Sequence, residues 1–333
     1  METKTITQTL DSLSQAPPTT FLNLSVFPLI GKRDHVRNYT PLRDAVAGGS
    51  AIVREVSESG SVPELLVENN GKEPVLILEG EELIGAKQNR TANVTVLVPA
   101  GKSVRIPVTC VESGRWGYQT RAFEPSEQVH FARGRVNKMA SVSESMKLSG
   151  SRRADQGAVW DDIALKTSRM RVSAPTGAMT DVFEANRTRL EDYVGAFRAE
   201  PDQLGAVFAI GDHIEGFELF DCSETFTEML PKLIRSYAID AIEELGSHRH
   251  NPTTEDAEVF LNRLRQAEFE TYPAVGEGTE VRLSGPGVIG AGLVVEGRVV
   301  HLAAFATPAS TGQRESDSSG FARMRTRRHG MRR

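Results

Sequence analysis

Residues 79–90, EGEELIGAKQNR, carry the densest set of reactive side chains in the chain. Glu79, Glu81 and Glu82 are followed by Lys87, Gln88, Asn89 and Arg90. Carboxylates serve as general acids and bases or as ligands to hard metal ions. Lys and Arg bind phosphate or carboxylate, Arg through a planar fork. Asn and Gln can read a base edge or a sugar hydroxyl. A second run, residues 110–118 (CVESGRWGY), adds Glu112, Arg115, Trp116 and Tyr118. An aromatic side chain beside an arginine suits a planar ligand such as a nucleobase. Glu82, Glu112 and Lys87 are therefore the candidate catalytic groups. Glu81, Gln88, Asn89, Arg90, Arg115 and Trp116 are candidate ligand contacts. The plainer readings are a solvated charged loop for 79–90 and a partly buried packing role for Trp116.

Apolar runs that must position these residues lie on either side. Residues 21–27, 51–56, 64–67, 75–79, 93–98 and 103–111 read as strands. Asn69, Asn70 and Gly71 read as the turn of a hairpin, and Pro99, Ala100, Gly101 and Lys102 as a second turn. In 103–111, Val104, Ile106, Val108 and Cys110 alternate with Arg105, Pro107 and Thr109, the pattern of a half-buried strand. Pro107 argues for an edge or a bulge there. If 75–79, 93–98 and 103–111 form a plain antiparallel meander, 79–90 and 110–118 meet at one rim of the sheet.

Beyond residue 125 the pattern turns helical, around 137–147, 155–170 and 180–198. Residues 205–210 and 216–220 read as a hairpin. The clearest helix spans 224–245, where Phe226, Met229, Leu230, Leu233, Ile234, Tyr237, Ala238, Ala241, Ile242 and Leu245 form one stripe. Thr225 and Glu228 have the spacing of a capping box, and Pro231 implies a kink or a nearby helix start. A helix over 253–268 with Thr254 as its cap and strands at 279–284 and 292–305 complete the reading. The expected fold class is α+β, with a mainly antiparallel sheet or sandwich core, a helical middle region and one long amphipathic helix. It is expected as one domain over 19–306: β-rich at 19–124, helical at 125–200, hairpin plus helix at 205–246, and helix with terminal strands at 253–306. A flexible segment, 1–18, precedes it, and an Arg-rich disordered tail, 307–333, follows.

Composition bounds the function classes. Of 333 residues 39% are hydrophobic and 25% charged, enough for a large core without metal or disulfide staples. A net charge of −5 argues against a global nucleic-acid binder. Six arginines in 321–333 leave nucleic-acid contact to the tail alone. Cys110 and Cys222 form no Cys-x-x-Cys pair; a disulfide between them is not suggested, and so few cysteines fit a reducing compartment. The first residues lack a secretory pattern, and Glu296, Arg298 and His301 break the most apolar late run, so a cytoplasmic, non-membrane protein is expected. Residues 285–290, GPGVIG, match the dinucleotide fingerprint in letters, but strand, turn and strand follow instead of a helix. His248 and His250 lack an evident third metal ligand. No Gly-x-Ser-x-Gly elbow occurs.

Three stretches, GEELIGAKQNRT, VLVPAGKSVRIPVTCVESGRWGY and LPKLIRSYAIDA, together resemble the family named for its association with ADP-ribosylglycohydrolases and rhodanese-phosphatase proteins. The resemblance covers about residues 20–305. It implies work on NAD-derived or ADP-ribosyl compounds and protein partners linked to ADP-ribosyl metabolism. It also draws in Arg235, Tyr237 and Asp240 of the third stretch as candidate ligand contacts, and carries no catalytic assignment. The expected function is binding or processing of an NAD-derived, ADP-ribosyl or other nucleotide ligand at the rim built from 79–90 and 110–118. Arg90 and Lys87 would hold phosphates, Trp116 would stack on the base, and Glu82 or Glu112 would act as acid or base or hold a divalent cation. The cofactor is otherwise unidentified, and whether the chain is an enzyme is left open. The alternative is a non-catalytic scaffold or regulatory partner whose basic tail contacts nucleic acid.

Overall fold

The computed structural model describes residues 2–32, 36–57, 63–246 and 251–308. The chain opens with helix α1 (Glu2–Ser12), strands β1 (Ser14–Gln15), β2 (Thr19–Phe21), β3 (Leu24–Ile30) and β4 (Thr40–Pro41), and helix α2 (Leu42–Ala47). Eight strands follow: β5 (Ala51–Glu55), β6 (Glu64–Asn69), β7 (Val75–Ile77), β8 (Glu81–Gly85), β9 (Arg90–Ala92), β10 (Val96–Val98), β11 (Ser103–Cys110) and β12 (Phe123–Val129). Helices α3 (Ala132–Ser149), α4 (Gln156–Arg169), α5 (Met179–Ala185) and α6 (Arg187–Ala196) lead to the hairpin β13 (Gln203–Ile210) and β14 (His213–Phe220). Helices α7 (Ser223–Glu243) and α8 (Thr254–Arg265) precede β15 (Glu268–Pro273), β16 (Thr279–Gly285), β17 (Val288–Val295) and β18 (Arg298–Ala306).

The fold is α+β, as the patterning implies, with nearly all strand pairs antiparallel. Nine strands form one sheet, ordered β1-β3-β13-β14-β18-β17-β16-β15 with β2 on the flank of β3. Six others, β11-β6-β5-β12-β8-β9, close into a barrel, and β10-β7-β4 form a small third sheet. The large sheet is covered on both faces. Ile6 and Leu10 of α1 and Ala257, Phe260, Leu261 and Leu264 of α8 pack on Phe27, Val207 and Phe217. Phe226, Leu233 and Tyr237 of α7 pack with Ala206, Phe208 and Phe305 on the opposite face. This double cover explains why β13 is buried along its whole length and apolar from Leu204 to Ile210 rather than alternating. Val53, Leu65, Val67, Leu83, Ile106, Val108 and Phe123 belong to the third, barrel cluster.

Within the N-terminal segment, Ile6 and Leu10 of α1 lie one helical turn apart and pack on the sheet. Several expectations are corrected. Asn69, Asn70 and Gly71 do not turn a hairpin between 64–67 and 75–79. Strand β6 stays in the barrel with β5 and β11, whereas β7 leaves for β10 and β4. The Asn69 amide donates to the carbonyls of Val98 and Pro99, which fixes that crossing. The meander is likewise absent, because β11 pairs with β6 and β9, not with β10. Residues 79–90 are no solvated loop, since they supply β8 and part of β9. Cys222, not the Thr225 and Glu228 pair, precedes α7, and it makes no side-chain cap. Thr225 instead meets the Tyr39 hydroxyl at 2.9 Å. Pro231 sits well inside α7. Thr253, one residue before the expected Thr254, caps α8 in a full capping box with Asp256. Gly287, with φ +77°, turns the hairpin from β16 into β17, so the fingerprint-like letters open no helix. Both cysteines are free and buried. No described helix is long and apolar enough to cross a membrane. The His248 and His250 pair and the Arg-rich tail beyond residue 308 lie outside the described residues.

Candidate functional site

Strand alternation divides residues 79–90 between the two faces of the barrel wall. Leu83 of β8 pairs with Arg90 of β9, and both face inward with the apolar barrel residues. Glu82 pairs with Thr91, and successive strand residues point to opposite faces, so these two face outward. Outside the wall lies a cleft of about 320 Å³ between the barrel and α5, α6 and α7. Ile84, Ser126, Gln128, Thr180, Phe183 and Arg235 are among its lining residues. Glu82 is fully buried against that lining. The Gln128 amide donates to its Oε2 at 2.7 Å and the Thr180 hydroxyl to its Oε1 at 2.7 Å. Burial dominates these bonds and pushes the carboxyl up to about 7, with the nearby charge of Glu112 adding to the rise. The Thr91 hydroxyl is buried with no hydrogen-bond partner among the described residues. Arg235 and Arg187 stand at the rim, held at 2.7 Å by Glu191 and 2.6 Å by Glu184.

The two sequence runs do converge, through the β9–β11 ladder in which Arg90 faces Cys110. Past that ladder Gln88 donates to the Glu112 carbonyl at 2.9 Å, and the Asn89 amide to the Glu112 carboxylate at 3.1 Å. Arg115 closes a fork on the same carboxylate, at 2.8 and 2.6 Å, and also donates to Asn89 Oδ1 at 3.0 Å. Thr176 supplies a further donor at 2.9 Å. Burial works to raise the Glu112 carboxyl, but these donors outweigh it and hold the group below its ordinary value. Glu112 is thus a fixed anionic clasp held by a cation, whereas Glu82 is hydrogen-bonded only by the neutral Gln128 and Thr180. Asn89 reaches Thr180 at 3.3 Å and ties the clasp to the cleft. The turn between β8 and β9 is tight: Ala86 has φ +38°, and a Cβ at Gly85 would come within 2.5 Å of the Thr120 hydroxyl oxygen. Lys87 lies over the rings of Trp116 and Tyr118 at 5.3 and 5.0 Å, and both rings are about half exposed.

Other expected contacts are placed elsewhere. Glu81 forms an ion pair with Lys232 of α7 at 2.6 Å and accepts from the Leu78 amide at 3.1 Å. Tyr237 is buried in the large core, stacked on Phe208 at 4.1 Å. Asp240 is buried too, paired with Lys166 at 2.6 Å and accepting from the Arg133 amide at 3.1 Å. Of the third stretch only Arg235 lines the cleft. Arg90 is enclosed in the barrel and does not face the cleft. Gln128 and Thr180 escaped the sequence reading, since an isolated Gln or Thr in a polar stretch has no spacing that marks it. Glu55 left a trace, because it falls in step with Ala51 and Val53 on the buried face of β5. Among the described residues no three His, Cys, Asp or Glu side chains are grouped to hold a metal ion.

A barrel joined to a covered antiparallel sheet, with a raised carboxyl behind a cleft between the barrel and α5, α6 and α7, defines an α+β protein with one chemically distinctive wall. The chain belongs to the ARG and rhodanese-phosphatase-superfamily-associated protein domain family, whose model matches residues 12–305. No curated protein and no solved structure matches it.

Proposed function

We propose that this protein binds an NAD-derived or ADP-ribosyl compound in the cleft over Glu82, and that Glu82 transfers a proton there. The observation that carries the proposal is the Glu82 carboxyl, pushed up to about 7 by burial directly behind Gln128 and Thr180, which line the cleft and hydrogen-bond to it. Such a group is partly protonated at neutral pH, so it can give a proton to a leaving group or take one from an attacking water. Ser126, Gln128 and Thr180 offer the short polar contacts that ribose hydroxyls require. Arg187 and Arg235 at the rim can exchange their glutamate partners for phosphate oxygens. The family name, which ties the domain to ARG and rhodanese-phosphatase proteins, supports the substrate class.

The test is equilibrium binding and product analysis with ADP-ribose, NAD and AMP. Wild type is expected to bind at least one of them and to turn it over with an apparent pKa near 7. Arg235→Ala should weaken binding roughly tenfold, the loss of one charge-assisted contact. Glu82→Gln should bind as well as wild type and form no product. A flat binding panel, or turnover by Glu82→Gln at the wild-type rate, would sink the proposal.

A further inference from the structure

The inner face of the same wall carries a cluster that the cleft does not use. Glu55 closes β5 on the face of Ala51 and Val53, and Arg90 opens β9 on the face of Ala92. Arg90 is 0% exposed and Glu55 7%. Nη1 of Arg90 donates to Gln88 Oε1 at 3.1 Å. Its Nε and Nη2, and both carboxylate oxygens of Glu55, have no hydrogen-bond partner among the described residues. Nor does an ion pair join Arg90 to Glu55, although each lies within reach of the other's charge. Leaving one buried charge unpaired is costly, and here there are two of opposite sign.

The open groups have a definite shape. Nε and Nη2 form the edge of a guanidinium that takes a carboxylate through two parallel hydrogen bonds. The Glu55 oxygens require N–H donors. Cys110, on the Arg90 face, gives its S–H to Gln88 Oε1 at 3.0 Å and competes for neither. Trp116 lies over Arg90 at 5.8 Å and is half exposed, so it is the cover between this cluster and solvent. A simple anion would leave Glu55 unpaired and add a like charge beside it, and a simple cation would do the same to Arg90. A ligand that carries both charges satisfies both.

We propose that this end of the barrel binds a small zwitterion of the α-amino acid class, its carboxylate on the Nε and Nη2 edge of Arg90 and its ammonium on Glu55, beneath Trp116. The site is separate from the Glu82 cleft and stands whether or not that cleft takes a nucleotide.

Thermal unfolding and tryptophan fluorescence of the full chain, with each common amino acid added singly, test it. Acetate and methylammonium serve as the two half-ligands. At least one amino acid should raise the midpoint by a few degrees near saturation and change the fluorescence, while neither half-ligand does so. Glu55→Gln and Arg90→Gln should each weaken that binding by about tenfold or more, since each strands one ligand charge. If Arg90→Gln does not fold, Glu55→Gln carries the comparison alone. No response to any amino acid, an equal response to a half-ligand, or unchanged affinity in Glu55→Gln would overturn the proposal.

Discussion

Hydrogen bonds from Gln128 and Thr180 do not offset the burial of Glu82, and its carboxyl stays up at about 7 against an ordinary 4.5. The folded state therefore holds this proton more tightly than the unfolded chain. The stabilisation is fully present below 4.5 and is lost as pH rises through about 7. At about 1.4 kcal/mol per pH unit, the difference amounts to about 3 kcal/mol. Glu82→Gln, neutral at every pH, should match wild type near pH 4 and exceed it by up to about 3 kcal/mol near pH 9. Urea unfolding at the two pH values measures this, and equal stabilities at high pH would contradict it. A group that destabilises the fold at working pH is what a site exchanges for function. Burial shifts a thiol in the same direction. Burial pushes Cys110 up to about 11, and Cys222 is equally enclosed. Neither should react with a thiol reagent in native protein at pH 8, because both sulfurs are enclosed and the Cys110 thiol is also un-ionised there, and both should react after unfolding.

At the scale of elements, α7 joins the two halves of the site. It packs on β12 and β13 and carries Lys232, whose ammonium meets Glu81 of β8 with both groups about 3% exposed. Removing one member of such a pair strands the other, so Lys232→Met should cost about 3–5 kcal/mol. Adding Glu81→Gln removes the stranded charge and keeps an oxygen for the Leu78 amide, so the double variant should be more stable than Lys232→Met alone. A double-mutant cycle in urea decides this. The stripe of α7 was legible because helical spacing survives any tertiary context. That Lys232 and Asp240 are buried as well was not legible, since their ion-pair partners, Glu81 and Lys166, lie far away in sequence. The hairpin of β13 and β14 was legible from two apolar runs around Gly211 and Asp212. Strand β8 was not, because EELIG has no apolar alternation and reads as a loop unless its partners are known. The meeting of 79–90 with 110–118 was expected for an incorrect reason: β9 pairs with β11, and 75–79, 93–98 and 103–111 form no meander. What the sequence lacked in each case was the identity of the neighbour across a ladder, which no local spacing encodes.

For the whole molecule, the barrel and the large sheet meet through buried charge as well as through apolar contact. Glu79, just before β8, pairs with Arg135 and Lys138 of α3, each at 2.9 Å. Arg135 continues to Glu218 of β14, and Glu218 to His301 of β18 at 3.0 Å. The other nitrogen of His301 meets Thr95 at 2.8 Å, and Thr95 accepts from the Glu79 amide at 3.1 Å, which closes the circuit. Burial opposes the charge on Glu79, yet Lys138 and Arg135 outweigh it and hold the carboxyl down at about 2. A depressed carboxylate stabilises the fold above its ordinary 4.5, and that contribution is lost as pH falls through about 2. Its size is about 3 kcal/mol at about 1.4 kcal/mol per pH unit. Two consequences can be measured together. At pH 7 Glu79→Gln should lose at least about 3 kcal/mol, because it strands the buried Lys138 and leaves Arg135 with Glu218 alone. Between pH 4.5 and pH 2 the stability gap between wild type and Glu79→Gln should narrow by about 3 kcal/mol, since only the wild type loses this charge. Because the circuit spans both sheets, wild type should unfold in one transition by near- and far-ultraviolet dichroism, and the variant in two or at a lower midpoint by both probes. A variant with wild-type stability at pH 7 would show that apolar packing alone holds the barrel to the sheet.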